Sequence, residues 1–297
     1  MKNILSALLV CLSFTTSAMD TVSVNTVQQL IDSIQSDRLI LLQPGVYDVS
    51  SILQLSEVDI EANQQNVLLT KALFYSSGMG IVVKQVKNLT IQGTGETHEL
   101  NELITTMEND FVLSFFGCSN IRLLNLTAQY DRTKEGSRKG GSWFINQCTG
   151  VKIERNLLAR GNVGLKVSRS KNISMINSII SECSSGVVEL QESWSIRFDN
   201  CKFNKNRACH AVWSMKRCTD VQIENSVFEE NERKSSSRCN SGKMFSVSRC
   251  EMVVIKGNSI KSNDLQYLGD SETVRQITSK NVIKRNKFIA MVPPKDI

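Results

Sequence analysis

The amino-acid sequence predicts an all-β chain folded as a single solenoid of stacked three-strand coils, and three observations lead to this prediction. The 297 residues include 50 Ile plus Val but only 9 Ala and 3 Pro, a composition that favours strands over a helical bundle. Apolar and polar residues alternate in many short runs, which is the pattern of strands with one buried face. These runs recur as a repeat, and a coil that cannot bury its own apolar face has to stack on its neighbours.

Residues 1–18 have the pattern of a cleaved export signal. Lys2 precedes an apolar run over residues 4–14, and the small residues Thr-Ser-Ala follow at 16–18. Because the apolar run is too short to span a bilayer, a signal peptide is favoured over a membrane anchor. Cleavage would place the protein in the periplasm or outside a bacterial cell. It would leave eight of the nine cysteines and lower the net charge of +6 by the one charge of Lys2.

The chain divides into four predicted segments: a signal peptide (1–18), an N-terminal segment with a capping helix (19–38), the solenoid (39–290) and a C-terminal tail (291–297). In the second segment Val27, Leu30, Ile31 and Ile34 have helical spacing. An amphipathic helix at this point would cover the open end of the first coil, whose strand edges would otherwise be unpaired.

A small residue and an Asn mark each repeat. The small residue recurs at Val86, Cys118, Cys148, Ser170, Ser193, Cys218, Cys250 and Ser279, at intervals averaging about 28 residues. The Asn recurs at Asn125, Asn156, Asn177, Asn200, Asn225, Asn258 and Asn286. Side-chain amides stacked at equivalent turns would hydrogen-bond the turn backbone of each coil. Irregular insertions fall mainly after the third strand of a coil, at roughly 94–110, 129–141, 229–243 and 261–273.

The cysteines form two predicted sets. Those at the small-residue turn are expected to be buried sulfurs stacked along the core (Cys118, Cys148, Cys218 and Cys250). Cys183, Cys209 and Cys239 each precede the first strand of consecutive coils, so stacking could bring neighbours within bridging distance. Cys209–Cys239 is the predicted disulfide, in keeping with an exported chain. No Cys spacing indicates a metal site.

The coil pattern of two alternating apolar residues followed by an Asn resembles the right-handed parallel β-helix proteins of the pectin-lyase-like superfamily. The segment 39–47 (Leu-Ile-Leu-Leu-Gln-Pro-Gly-Val-Tyr) resembles their first strand. The resemblance implies a fold over about residues 22–290. It also implies a polysaccharide as the partner, and enzymes of this group are lyases, epimerases and hydrolases. A Ca²⁺ cofactor is implied only by this analogy, and the local motifs of those enzymes (Asn-Thr-Asp, Asp-Asp, Gly-His-Gly, Arg-Ile-Lys) do not occur in the chain.

Alternation along the strand before the small residue predicts two outward rows. One row reads Val82, Ser114, Phe144, Lys166, Glu189, Ser214 and Ser246. The next reads Lys84, Phe116, Asn146, Ser168, Gln191, Lys216 and Ser248, and Arg169, Glu192, Arg217 and Arg249 follow at the turn. In β-elimination, Lys or Arg removes a proton beside a uronate carboxylate and a second cation neutralises that carboxylate.

The candidate catalytic residues are therefore Lys166, Arg169, Glu189, Glu192, Lys216 and Arg217. The candidate substrate-binding residues are Phe116 and Phe144, as sugar-stacking rings, with Arg138 and His210. The alternative is that the charged side chains form only solvated ion pairs, each worth at most about 1 kcal/mol.

Two functions remain open at the level of the sequence. One is a secreted or periplasmic enzyme, a lyase or epimerase acting on an acidic glycan. The other is a non-catalytic β-helix that binds glycan or serves as a surface or envelope protein. The mildly basic charge permits anionic polysaccharides, and no nucleic-acid motif or bilayer-spanning segment is present.

Overall fold

The computed structural model describes residues 19–54, 66–70, 80–106, 111–131, 140–234, 239, 242–271, 273–275, 281–290 and 292. The predicted signal peptide lies outside these residues, as does most of the predicted tail. Within them, no helix combines the length and the apolar character that a membrane crossing requires.

The described residues form a parallel β-helix of three long sheets, here named S1, S2 and S3, and the predicted fold is confirmed. S1 contains Asp20–Val24, Arg38–Leu42, Lys87–Gly93, Ser119–Leu124, Thr149–Glu154, Lys171–Ile176, Trp194–Asp199, Thr219–Glu224 and Glu251–Lys256. S2 contains Gly45–Asp48, Asn101–Thr105, Thr127–Tyr130, Leu157–Ala159, Ile179–Ser181, Lys202–Asn204, Val227–Glu229, Ser259–Lys261 and Val282–Lys284. S3 contains Val67–Thr70, Gly80–Lys84, Leu113–Phe116, Gly141–Asn146, Val163–Ser168, Val188–Gln191, Arg207–Ala208, Ala211–Lys216, Glu232–Arg233, Lys243–Ser248, Asp264–Tyr267 and Lys287–Ala290.

A coil runs through the sheets in the order S3, S1, S2. Some coils add a second, short strand to S3, as Arg207–Ala208 does before Ala211–Lys216. Neighbouring coils pair in parallel, apart from Val67–Thr70, which runs antiparallel to Gly80–Lys84. S1 begins with Asp20–Val24, one strand before the predicted first strand, and this strand pairs with Arg38–Leu42.

The predicted capping helix is Val27–Ser33. Thr26 caps its N-terminus by accepting a hydrogen bond from the Gln29 N–H at 3.2 Å. Leu30 and Ile31 are buried and Val27 packs partly against the core, so the helix covers the first coil with its apolar face, as expected. The described residues also include a second helix, Val49–Gln54, a 3₁₀ turn, His98–Leu100, and helical residues at 271 and 273–275.

The core is a continuous column of inward side chains from all three sheets. Part of this column is aromatic: the ring centroids of Phe198 and Trp213 are 4.5 Å apart, and the ring centroid of Phe203 lies 5.1 Å from that of Trp213. Edge-on aromatic contacts of this kind add to the stabilisation from burying the rings. This column explains the Ile and Val excess, because each coil requires several inward apolar residues and cannot bury them alone.

The turn between S1 and S2 corrects the predicted single row of Asn residues. Asn125, Asn177, Asn200 and Asn225 occupy a left-handed position, with φ between 51° and 56°. Asn156 and Asn258 lie one position later, where they are buried and accept hydrogen bonds from backbone N–H groups of the preceding coil. The turn therefore has two adjacent slots, and Asn suits both: it tolerates positive φ in one and supplies an amide in the other.

A true column of stacked Asn side chains lies at the turn between S2 and S3. In consecutive coils this column contains Cys183, Asn206, Asn231, Asn263 and Asn286. The backbone N–H of each of the first four donates to the side-chain oxygen of the Asn in the next coil, at distances between 2.9 and 3.2 Å. The turn between S3 and S1 uses Cys and Ser in the same way. There the Cys118 N–H donates to Cys148 Sγ at 3.3 Å, and the Cys148 N–H donates to Ser170 Oγ at 3.0 Å.

The predicted disulfide and the burial of three of the four turn cysteines are confirmed, but Cys183 is wrongly grouped with Cys209, because it stacks on Asn206 instead. Cys118, Cys148 and Cys218 are buried and reduced, and Cys250 is half-buried at the end of the same column. Cys209 and Cys239 form a disulfide with their Cα atoms 4.5 Å apart, and each lies between two successive S3 strands of its own coil.

Candidate functional site

The outward face of S3 carries both predicted rows in register. In the first row Ser114 pairs with Phe144, Phe144 with Lys166, and Lys166 with Glu189. In the second row Gln191 pairs with Lys216. Neighbouring coils lie about 4.8 Å apart, so each row is a line of side chains running along the solenoid axis.

The side chains predicted to cluster around Lys166 do come together, but they contact one another and leave little free surface for a ligand. Lys166 Nζ lies 3.6 Å from Glu189 Oε2 and 5.5 Å from the centroid of the Phe144 ring. The Phe144 ring also packs 5.3 Å from that of Phe111, which leaves only 8% of Phe144 exposed. Phe144 therefore has no free face for a sugar ring, and the stacking role predicted for it does not fit the structure. Phe111 directly follows the predicted insertion at roughly 94–110, so the outward alternation could not reveal this cover.

At the turn between S3 and S1, Arg169, Glu192 and Arg217 stack in consecutive coils, each with positive φ. Arg169 Nε lies 3.2 Å from Glu192 Oε2, and Arg217 Nη1 lies 2.8 Å from Glu192 Oε1. Hydrogen bonds from the two guanidinium groups lower the pKa of the Glu192 carboxyl below its usual range. Glu192 is therefore held as a carboxylate, and each arginine still exposes about half of its side chain or more.

The remaining candidates lie apart from these pairs. Phe116 is half-buried and pairs with Lys84 in one neighbouring coil and with Asn146 in the other. Lys216 is exposed, and no ion pair involves it in the part of the chain that the structure describes.

His210 is exposed beside the disulfide, its Nε2 4.0 Å from Cys209 Sγ, at the opposite edge of S3 from Glu192. It does not join the lysine and arginine cluster. Arg138 lies outside the described residues.

An exposed aromatic ring that the sequence analysis missed lies at the same S3–S1 turn. Trp194 is the first residue of its S1 strand and 47% of it is exposed. It pairs with Lys171 in one neighbouring coil and with Thr219 in the other. The signal in the sequence was an aromatic residue at a strand position that is polar in the adjacent coils. We call the surface formed by Arg169, Lys171, Glu192, Trp194, Arg217 and Thr219 the S3–S1 corner.

The S3 face with its adjoining turn is rich in cations and hydrogen-bonding side chains. Its cations are Lys84, Lys166, Arg169, Lys216, Arg217 and Arg249, and its carboxylates are Glu189 and Glu192. Ser, Asn and Gln fill most of the remaining positions of the rows. This combination of fixed positive charge with amides and hydroxyls suits an anionic, hydroxyl-rich ligand.

No group of three or more His, Cys, Asp or Glu side chains arranged to hold a metal ion is found among the described residues. The carboxylates of the S3 face are each engaged by a cation instead. The residues present at this site therefore do not form a Ca²⁺ cage of the kind implied by analogy, and a bridging Ca²⁺ would need carboxylates supplied by the ligand.

Comparison with known proteins supports the fold. The family model described as "Right handed beta helix region" matches residues 112–288, more than half of the chain. A search of curated proteins found no match.

Several solved structures resemble this chain. Pectin methylesterase PemA from Erwinia chrysanthemi superposes with a TM-score of 0.52 at 11% identity, covering 95% of this chain and 92% of that one. A pectate lyase mutant from Bacillus subtilis gives a TM-score of 0.45 at 12% identity, covering 92% and 82%. A pectin methylesterase in complex with a hexasaccharide gives 0.45 at 11% identity, covering 75% of this chain and 66% of that one. At these identities the likeness concerns the fold.

Proposed function

Because the chain belongs to the right-handed parallel β-helix proteins, we propose that it is an exported polysaccharide-binding protein and that its ligand is an acidic glycan bound along S3 and the S3–S1 corner. The observation that carries this proposal is the exposed Trp194, with cations on the neighbouring side chains of its own corner. The flat indole face can stack on the apolar face of a sugar ring.

The geometry around Trp194 matches two features of a uronate sugar, the apolar face of its ring and its carboxylate. Lys171 is in register with Trp194 in the adjacent coil, and Arg169 and Arg217 flank it on the turn, each with one side held by Glu192. A ring stacked on Trp194 would place its carboxylate within reach of these cations. Glu192 orients both guanidinium groups, which limits the conformational entropy they lose on binding.

The solenoid also suits a polymer. The rows of S3 repeat at about 4.8 Å, so a linear glycan lying along the axis from Asn146 to Ser248 meets a hydroxyl, an amide or a cation at each coil. Lys216 is the exposed cation on this path, between Gln191 and Ser248 of the neighbouring coils. Similarity to a pectin methylesterase supports including pectin among the polymers tested.

Binding is tested with the purified chain by calorimetry or a glycan array that contains polyuronates and matched neutral polymers. Trp194→Ala should weaken binding at least about fivefold, whereas Val282→Ala, a change at an exposed apolar residue on S2, should leave it unchanged. Lys216→Ala should weaken binding about two- to fivefold at low salt and less at high salt, with Lys284→Ala on S2 as its control. Equal affinity for neutral and acidic polymers, or no effect of Trp194→Ala, would refute the proposed site.

The second candidate is β-elimination on the same glycan, favoured by the adjacent exposed cations Lys216 and Arg217. Lys216 would remove the proton at C5 and Arg217 would neutralise the carboxylate. The C4–C5 double bond would form as the glycosidic C4–O bond breaks, and the leaving oxygen would take a proton from water. Incubation with polyuronates, with and without Ca²⁺, should then raise the absorbance of unsaturated ends. Lys216→Ala should abolish the signal without changing the melting temperature. If the chain binds the polyuronates but releases no unsaturated product from any of them, β-elimination is refuted and the non-catalytic binding function remains.

Export is part of the proposal and has its own test. Expression in a bacterial host with the complete N-terminus should yield a mature chain beginning near Met19 in the periplasm or medium. N-terminal sequencing identifies the cleavage point, and a full-length cytoplasmic product would contradict export.

A further inference from the structure

A groove of about 610 Å³ lies at the turn between S2 and S3, on the opposite edge of S3 from the S3–S1 corner. Four consecutive coils line it, and each coil contributes two side chains that flank one residue of the Asn column. The first coil supplies Lys205 and Arg207, and the second supplies Glu230 and Glu232. We call it the S2–S3 groove.

The next two coils complete a symmetrical order of charge. The third supplies Ser262 and Asp264, and the fourth supplies Arg285 and Lys287. The strands are in register, since Arg207 pairs with Glu232 and Asp264 pairs with Lys287. Along the axis the groove therefore reads as two cations, two carboxylates, a hydroxyl with one carboxylate, and two cations.

These charges face one another without forming ion pairs. No salt bridge within 4.0 Å joins any of the seven charged groups to another side chain in the described residues. One coil earlier in the same column, Arg160 and Glu182 do close, with Arg160 Nε 3.0 Å from Glu182 Oε2. The stacking geometry thus permits ion pairs, and in the groove the opposite charges remain separated by open volume.

We propose that the S2–S3 groove binds an extended polypeptide segment with an acidic, a basic and an acidic residue at alternate positions. The coils lie about 4.8 Å apart, which places the two cationic ends about 14.4 Å apart and the centre of the carboxylates about 7.2 Å from each end. In an extended chain, side chains i, i+2 and i+4 share one face at about 6.6 Å intervals. Two carboxylates flanking one ammonium therefore match the groove in both order and spacing.

The chemistry at each level supports this ligand. Arg207 at one end and Arg285 at the other can each receive a carboxylate through two parallel N–H groups. Glu230, Glu232 and Asp264 surround the level at which the ammonium would lie. A polymer carrying only anionic groups would set its central charges against these three carboxylates, so the groove does not suit the acidic glycan proposed for the other edge of S3.

The test uses fluorescein-labelled, end-blocked heptapeptides and the full chain in fluorescence anisotropy at low salt. The central sequence Glu-Ser-Lys-Ser-Glu should bind at least about tenfold more tightly than its scramble Glu-Ser-Glu-Ser-Lys, because only the first places every charge opposite its complement. Equal binding of the two peptides would overturn the proposal. So would displacement of the peptide by a uronate oligosaccharide at its own binding concentration.

Two matched variants locate the interaction. Lys287→Glu should weaken binding of the first peptide about tenfold, while Lys284→Glu, the same change on the outer face of S2, should have little effect. Trp194→Ala should leave peptide binding unchanged. Loss of glycan binding with retained peptide binding separates failure of the proposed function from failure of this inference.

Discussion

Replacing Asn231 with Ala tests what holds the turns of the solenoid together. Asn231 is fully buried in the Asn column between S2 and S3. Its side-chain oxygen accepts hydrogen bonds from the N–H of Asn206 at 3.2 Å and from Asn206 Nδ2 at 3.0 Å. Its Nδ2 donates to the Phe203 carbonyl and to Asn263 Oδ1, both at 2.9 Å. One side chain thus connects three coils.

The expected cost follows from the groups left behind. Ala removes four hydrogen bonds and leaves the Asn206 N–H, the Asn206 amide and the Phe203 carbonyl without those partners in a dry turn. An unsatisfied buried polar group costs about 1–3 kcal/mol. Partial relaxation reduces the sum, so we expect the free energy of unfolding to fall by about 4 kcal/mol.

The assay is urea unfolding followed by far-UV circular dichroism, with Asn200→Ala as the matched control. Asn200 is exposed at a left-handed position, and its side chain makes one hydrogen bond, from Nδ2 to Asn177 Oδ1 at 2.7 Å. Its replacement should cost about 1 kcal/mol, mainly because Ala tolerates positive φ less well than Asn. If Asn231→Ala costs no more than Asn200→Ala, the buried column does not carry the turn and the reasoning is wrong.

Three further predictions concern the other turns. Replacing both Cys209 and Cys239 with Ala should lower the free energy of unfolding by about 3–4 kcal/mol, because the unfolded chain regains the entropy lost by closing a loop of 30 residues. In chemical denaturation, reductant should destabilise the parent chain and leave the double variant unchanged. Glu192→Gln should reduce the loss of thermal stability between pH 7 and pH 3. The flanking arginines lower the folded-state pKa of this carboxyl. Its contribution to stability is therefore present above the usual carboxyl pKa and is lost as the pH falls through the folded-state pKa. Equal acid sensitivity of parent and variant would contradict this. Cys148→Ala should cost about 1–2 kcal/mol more than Cys148→Ser, because only Ser retains an acceptor for the Cys118 N–H, and equal melting temperatures would count against that role.

Features set by the repeat were predictable from the sequence. The register of Lys166 with Glu189 and of Gln191 with Lys216 follows from counting alternate residues back from the Cys or Ser of each coil. The Cys209–Cys239 disulfide was predictable because both residues shortly precede a long S3 strand in neighbouring coils, and neighbouring coils stack on each other. In a solenoid, the repeat length indicates which residues of neighbouring coils are in contact, and in most other folds the sequence does not reveal long-range contacts in this way.

Features that depend on which slot of a turn a residue fills, or on an insertion, were not predictable in the same way. Asn200 and Asn258 look alike in the repeat, yet one is exposed at positive φ and the other is buried, because the turn has two adjacent positions that both suit Asn. Phe144 was predicted to be outward and exposed, but Phe111, arriving from an insertion, covers it. Single-strand alternation contains no information about such a cover.

Charge order along a column explains where the surface is free to bind. Where opposite charges alternate in register, as in Arg169, Glu192 and Arg217, they form ion pairs, and the two arginines exceed the one carboxylate by one positive charge. Where the alternation fails, a cation remains: Lys216 lies between Gln191 and Ser248 and has no opposite charge in the rows beside it. In the proposed function, the S3 face would attract anions partly through such unpaired cations. The S2–S3 groove differs, because its opposite charges are in register and still stand apart, so a ligand with both charges has to come between them.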